Sequence, residues 1–273
     1  MKSLLILADG HSNSTVGLAR PSIELDDGDK VDAGIVRRFI WQTYTRILDE
    51  ATERAKKYNS ELYGLLNGDA IELAAKHASS QVITINREEA GRIAIETYEP
   101  FFERCKGVFV TRGTEAHTGL SATAEETLAG NFTNTIRNPD TNRASFWWLP
   151  LDLDGVRMDI CHHPKGGGSG RPMNRTGGIM RIASDTLFEY ADAGKVPPQL
   201  VIRSHLHGYR DSLSAYRTRA IITPAMSLLT AHTHRIGINA SEPIGGLLIT
   251  CHEGKYHVEP LLQKVREQSW MVL

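Results

Sequence analysis

The chain has 273 residues, 41% of them apolar, and a formal net charge of -1 from 31 basic and 32 acidic side chains. That apolar share is enough for a folded core, while the near-neutral balance excludes a general electrostatic pull toward nucleic acid or anionic membrane, so any bound phosphate has to be held locally. Three scattered cysteines (Cys105, Cys161, Cys251) argue against a disulfide framework and for a reducing, cytoplasmic setting; with no run near the ~20 apolar residues of a membrane span and no signal-type leader, a soluble, unprocessed protein is expected.

In chain order, residues 4–8 are a short apolar run that ends in Asp-Gly-His, the pattern of a buried strand with polar residues at its carboxyl end. A polar loop over residues 12–32 leads to residues 34–58, where Ile35, Phe39, Ile40, Tyr44, Ile47, Leu48, Ala51 and Ala55 recur at helical spacing. Residues 62–66 form a second strand, ending in Asn-Gly-Asp. Residues 87–104 predict a helix broken near Pro100, and residues 107–111 a third strand, followed by Arg-Gly-Thr-Glu-Ala-His.

The pattern then repeats: a strand at 156–161 ending in His-His-Pro, a helix at 178–193, and a strand at 200–203 ending in Ser-His-Leu-His. Further apolar runs at 220–223, 246–251 and 256–258 suggest three more strands. Strands alternating with helices imply an α/β fold, and with no internal repeat or long linker one domain over residues 1–273 is the simpler reading. Residues 130–154, which carry Phe146, Trp147 and Trp148, and the glycine-rich stretch 165–178 look like decorations.

In open α/β sheets the loops at strand carboxyl ends converge on a crevice. Successive strand ends here carry metal-type ligands: Asp9 and His11, then Asp69, Glu115 and His117, His162 or His163, and finally His205 and His207. Each short motif alone is weak, since Gly-Asp is a common turn and a lone histidine is usually structural; the ordered set carries the weight. Two dications about 3.5 to 4 Å apart repel one another and need a bridging carboxylate, for which Asp69 is the candidate. Mixed oxygen and nitrogen donors suit Mn, Fe or Zn better than Ca or a pure Mg site.

On these residues the chain resembles the calcineurin-like metallophosphoesterases, whose pattern is Asp-x-His, Gly-Asp, Gly-Asn-His, His, Gly-His-x-His. The resemblance spans about residues 4–209. It implies a four-layer αββα sandwich of two packed β-sheets flanked by helices. It also implies that Asp9, His11 and His207 hold one metal, that His162 and His205 hold a second, and that Asp69 bridges them. Two blocks depart from the pattern: Ser204 replaces a glycine, and Gly113-Thr114-Glu115-Ala116-His117 stands where the family has Gly-Asn-His. Glu115, with Thr114 behind it, is the expected replacement for the asparagine, and His117 takes the part of the acid histidine.

The expected activity is hydrolysis of a phosphomonoester or phosphodiester by a hydroxide bridging two divalent metals, Mn first, with Fe, Zn and Mg as alternatives. Asp69 and His117 are the expected catalytic residues, His117 protonating the leaving alkoxide. Arg171 and Arg175, after the glycine run, and His163 are expected to contact substrate, although a solvated loop explains that run as well. The partner is then a phosphoester: a small molecule, a nucleotide or a nucleic-acid end. A nuclease is the second enzyme reading, and a non-catalytic scaffold that binds a protein partner is the alternative from another class. His232 and His234 are read as structural, and the aromatic trio as core before nucleobase platform.

Overall fold

Residues 1–73, 81–164, 175–235 and 240–266 are described by the computed structural model. The elements run β1 (Lys2–Leu7), β2 (Ser22–Glu24), β3 (Lys30–Asp32), α1 (Ile35–Lys57), β4 (Glu61–Asn67), α2 (Arg87–Arg104), β5 (Val108–Thr111), α3 (Glu115–Thr118), α4 (Thr123–Gly130) and β6 (Leu149–Leu153). They continue with β7 (Val156–Ile160), α5 (Arg175–Asp192), β8 (Leu200–Arg203), β9 (Arg210–Asp211), β10 (Arg219–Ile222), α6 (Ala231–Arg235), β11 (Ile244–His252) and β12 (Lys255–Gln263).

Two mixed five-stranded sheets result, in the orders β12-β11-β1-β4-β5 and β6-β7-β8-β10-β9, with β2 and β3 as a separate hairpin. The alternation of side chains along a strand explains how they stack. Leu4 and Ile6 point one way, joining Leu65, Phe109, Leu247 and Ile249 against Met158, Ile160, Leu200, Ile202 and Ile221 of the other sheet. Leu5, Leu7, Leu66 and Val110 point the opposite way, onto Ile40, Tyr44, Ile47 and Leu48 of α1 and Tyr98, Phe101 and Phe102 of α2. The outer face of the second sheet, through Val201, Ala220 and Ile222, takes Ile179, Ile182 and Ala183 of α5. The layers therefore run helix, sheet, sheet, helix.

Several expectations change in detail. Helix α2 passes through Pro100 without a break. Proline removes the bond to the carbonyl four residues back, and that carbonyl, on Glu96, instead accepts Arg20 Nε at 2.7 Å. The loop at 12–32 contains the β2-β3 hairpin, and the stretch 130–154 is not a decoration: Thr135 and Phe146 bridge to β5, and β6 pairs with β7. Of the α1 residues expected to face inward, Ile35 is exposed at the first position. Of the glycine-rich stretch, residues 165–174 lie outside the described residues. The three cysteines are free thiols, and no described helix is long and apolar enough to cross a membrane.

The sheets place the site. β1, β4 and β5 are parallel, as are β7, β8 and β10, so their carboxyl ends deliver the loops after residues 7, 67, 111, 160 and 203 to one edge of the sandwich.

Candidate metal centre

Five of the expected site residues leave their strands in the left-handed backbone region: Asp9 (φ 50°), His11 (φ 46°), Asp69 (φ 50°), His205 (φ 71°) and His207 (φ 56°). Such a residue costs on the order of 1 to 3 kcal/mol and persists only where its neighbours enforce it. The enforcing bonds are present. Beyond the last ladder pair of β1 and β4, Asp9 N donates to Gly68 O at 3.1 Å, His11 N to Asp69 O at 2.9 Å and Ser12 N to Ala70 O at 2.8 Å.

A buried chain of side chains fastens the two sheets to each other just beneath these turns. Thr111 Oγ1 donates to Asn67 Oδ1 at 2.6 Å, Asn67 Nδ2 donates to Ser204 Oγ at 2.6 Å, and Ser204 shares a bond of 2.7 Å with Thr223 Oγ1. Ser204, the serine in a glycine's place, is thus the hinge pin of the two layers. Above it, His205 N donates to Asp9 Oδ2 at 3.1 Å.

The cluster has two lobes. In the first, Asp9, His11 and His207 bring ligand atoms within 4.8 Å of one another, with His11 Nε2 3.4 Å from His207 Nε2 and His207 Nε2 3.6 Å from Asp9 Oδ1. In the second, His162, His163 and His205 do the same. Asp69 lies between: its Oδ2 is 3.0 Å from His162 Nε2, 3.0 Å from Thr114 Oγ1 and 3.8 Å from His205 Nδ1. Asp9, Asp69 and His162 form a further grouping that joins the lobes, and His11, Asp69 and His117 another.

Whether a cation suits these donors is decided by Asp9 Oδ1. It is a fully buried carboxylate oxygen with no hydrogen-bond partner, ringed by imidazole nitrogens. An anion buried without a donor is costly, and carboxylate plus imidazole is the ligand set of Mn, Fe or Zn. The residues fit a divalent metal.

Electrostatics among the protein's own groups bias the protonation of these side chains. Burial works to lower the pKa of His162, but the charge of Asp69 and the hydrogen bond to it win and push it up to about 10. Nδ1 of this ring lies 2.7 Å from Asn67 O, which orients Nε2 to the cluster. Glu72 lies behind the first lobe, 2.7 Å from His117 Nδ1 and 3.3 Å from His11 Nδ1. Its burial favours the neutral acid, yet the two imidazoles outweigh this and hold it down at about 2. His117 is raised above the ordinary imidazole value: burial opposes this, and the bond to Glu72 with the charge of Asp69 overcomes it. Glu125, fully buried under the Asp69 loop, is pushed up to about 8 by burial first and the charge of Asp69 second.

Glu115 stands apart from these groupings. It opens α3, and its Oε1 turns back to accept Ser121 N at 2.9 Å, on the wall of a cleft of about 490 Å³ shared with Leu73, Arg87 and Leu120. Thr114 Oγ1, by contrast, lies beside the second lobe, 3.3 Å from both His163 Nε2 and His205 Nδ1. Arg171 lies outside the described residues, and Arg175 opens α5 with its side chain outside them. Phe146 packs in the core, while Trp147 and Trp148 are half exposed, Trp147 with the Arg112 guanidinium 5.1 Å from its ring centroid. His234 sits in the short α6, outside the cluster. Sequence reading missed Asn67, Glu72 and Glu125; the one available signal was their nearness to the Gly-Asp and Gly-Thr-Glu blocks.

No family model and no curated protein matches the chain. Solved structures do. A dimetal phosphatase from Danio rerio is similar at 8% identity and a TM-score of 0.46, over 95% of both chains. Vacuolar Protein Sorting 29 from Cryptosporidium parvum is similar at 10% identity and a TM-score of 0.45, over 95% of this chain and 96% of that one. The sulfate thiohydrolase SoxB from Thermus thermophilus is similar at 10% identity and a TM-score of 0.44, over 96% of this chain and 57% of that one. The layers and the order of ligand-type residues at the strand ends agree with what the sequence motifs imply. Likenesses this low carry no activity over to this chain.

Proposed function

We propose that the chain is a dinuclear metal-dependent phosphoesterase, one domain working in the cytoplasm on a phosphomonoester or phosphodiester. The observation that carries this is the pair of donor lobes meeting at Asp69, with the buried oxygen of Asp9 facing imidazole nitrogens in place of any N–H donor. Asp9, His11 and His207 would hold one divalent ion, Mn first among those to be tested. His162, His205 and Thr114 would hold the other, with His163 beside them and Asp69 shared. When bound, such ions supply Lewis acidity toward phosphoryl oxygens and an activated water at neutral pH.

The chain's own residues do the rest. Asn67 and Glu72 orient the rings of His162 and His117 through their Nδ1 atoms. His117, more than a third exposed, is held through Nδ1 by Glu72, which leaves Nε2 to carry a proton to the leaving oxygen. Glu72 stays ionised and holds that proton-bearing ring in place. The near-neutral net charge supplies little general attraction for a nucleic-acid backbone, so a small phosphoester, a nucleotide or a nucleic-acid end fits better than long DNA.

The test is a phosphoester panel with acid-soluble release from DNA alongside, run on protein loaded separately with Mn, Fe, Zn and Mg and again after chelation. Metal-dependent turnover supports the reading. Two bound ions with no turnover of any ester in the panel count against it.

A further inference from the structure

Glu125 is fully buried on the first turn of α4. Its two oxygens do different jobs. Oε1 accepts Ala70 N at 3.2 Å, and Oε2 accepts Gly113 N at 2.6 Å. Ala70 follows Asp69 in sequence, and Gly113 precedes Thr114. The ladder between β4 and β5 ends at Asn67 and Thr111, so past that point Glu125 spans the two loops from below.

Contact between those loops is close. Thr114 N donates to Asp69 Oδ1 at 2.6 Å, and a Cβ on Gly113 would lie 2.2 Å from Asp69 N. Ionised, the Glu125 carboxyl group would repel the Asp69 carboxylate beside it, which together with burial favours its neutral form. An apolar residue would fill the same space without that repulsion, but it would leave two buried N–H groups unsatisfied in the loops that set the cluster.

We propose that Glu125 is a positioning residue of the metal centre: it clamps the Asp69 and Thr114 loops at the separation that lets Asp69 serve both lobes. The assignment rests on the dinuclear reading above. Glutamine tests it with little change of shape, because a side-chain amide accepts through one atom only and turns its NH2 toward the other N–H donor. One loop loses its anchor while the volume stays the same.

The experiment loads wild type, Glu125→Gln and Glu125→Asp with Mn and reads the low-temperature EPR signal of an exchange-coupled pair, the Mn stoichiometry, and kcat and KM separately. Wild type should show the coupled signal. Glu125→Gln should lose it, bind the second ion about 10 to 100 times more weakly and drop in kcat by a similar factor, with KM changed less than about threefold. Glu125→Asp, which keeps two acceptor oxygens on a shorter arm, should fall between, and it is read by the same signals if the glutamine variant does not fold. A variant that melts lower yet keeps the coupled signal, stoichiometry and kcat of wild type would make Glu125 a structural filler and overturn the inference. A wild type that binds two Mn ions without coupling would remove the shared Asp69, and the dinuclear reading with it.

Discussion

Alanine at Gly68 strikes the backbone turn and the cluster together. Gly68 has φ 79°, and a Cβ there would lie 2.4 Å from His162 Nδ1 and 2.5 Å from its Cγ. The left-handed backbone costs an L-residue about 1 to 2 kcal/mol. The clash cannot be relieved by a flexible tip, because the His162 ring is held by Asn67 O at 2.7 Å and Asp69 Oδ2 at 3.0 Å, and forcing atoms into so packed a place costs a further ~1 to 3 kcal/mol. The sum, about 2 to 5 kcal/mol, lowers Tm by roughly 4 to 20 °C in a chain of this size. Thermal melts of the metal-free protein measure it, with Gly91→Ala as the control. Gly91 lies within α2 and its Cβ would meet nothing within 4 Å, so that change should be neutral or gain up to about 1 kcal/mol. Metal addition should raise the Tm of wild type more than that of Gly68→Ala, since His162 is displaced. A Gly68→Ala protein that melts within about 1 °C of wild type would refute the reasoning about this turn.

Other outcomes follow from single contacts. Glu72→Gln keeps the volume behind His11 and His117 but removes the charge that both imidazoles face; kcat should fall by about 10 to 100-fold with little change in KM, and an equal loss in an ester with a highly acidic leaving group would argue against a role in protonation. Asp211 is half-buried beside Arg219, and although burial raises its pKa, the bonds from Arg219 and Leu213 N dominate and lower it. Its folded value lies below the unfolded one, so its stabilisation is fully present above pH ~4 and is lost as pH falls through the folded value. Urea melts across that acid range should show a smaller pH dependence for Asp211→Asn than for wild type, and equal slopes would count against the pair.

What the sequence made legible was local. Each short apolar run that ends in Asp-Gly-His, Asn-Gly-Asp or Ser-His-Leu-His proved to be a strand whose carboxyl end reaches the cluster, because strand, turn and polar tip are encoded within a few consecutive residues. The path of α2 through Pro100 was not legible, since it depends on Arg20, far off in the chain. Nor was the placing of Glu115 and Thr114, which depends on where α3 begins and on the bond from Ser121 N that draws the glutamate away from the cluster. Glu125 in Ala-Glu-Glu-Thr reads as a solvated helix residue, and only the fold shows that it is buried while its neighbour Glu126 is half-buried and faces Ser145. Strand β6 was hidden because Pro150 stands inside the alternation of Leu149, Leu151 and Leu153, and proline argues against a strand.

The most direct test is the metal content and phosphoester turnover of wild type and Asp69→Asn, measured on the same preparations before and after chelation. The account predicts two divalent ions per wild-type chain, turnover that vanishes with chelator and returns with metal, and an Asp69→Asn protein that folds, binds fewer ions and is slower by about a hundredfold or more. Full metal occupancy and undiminished turnover in Asp69→Asn would contradict it.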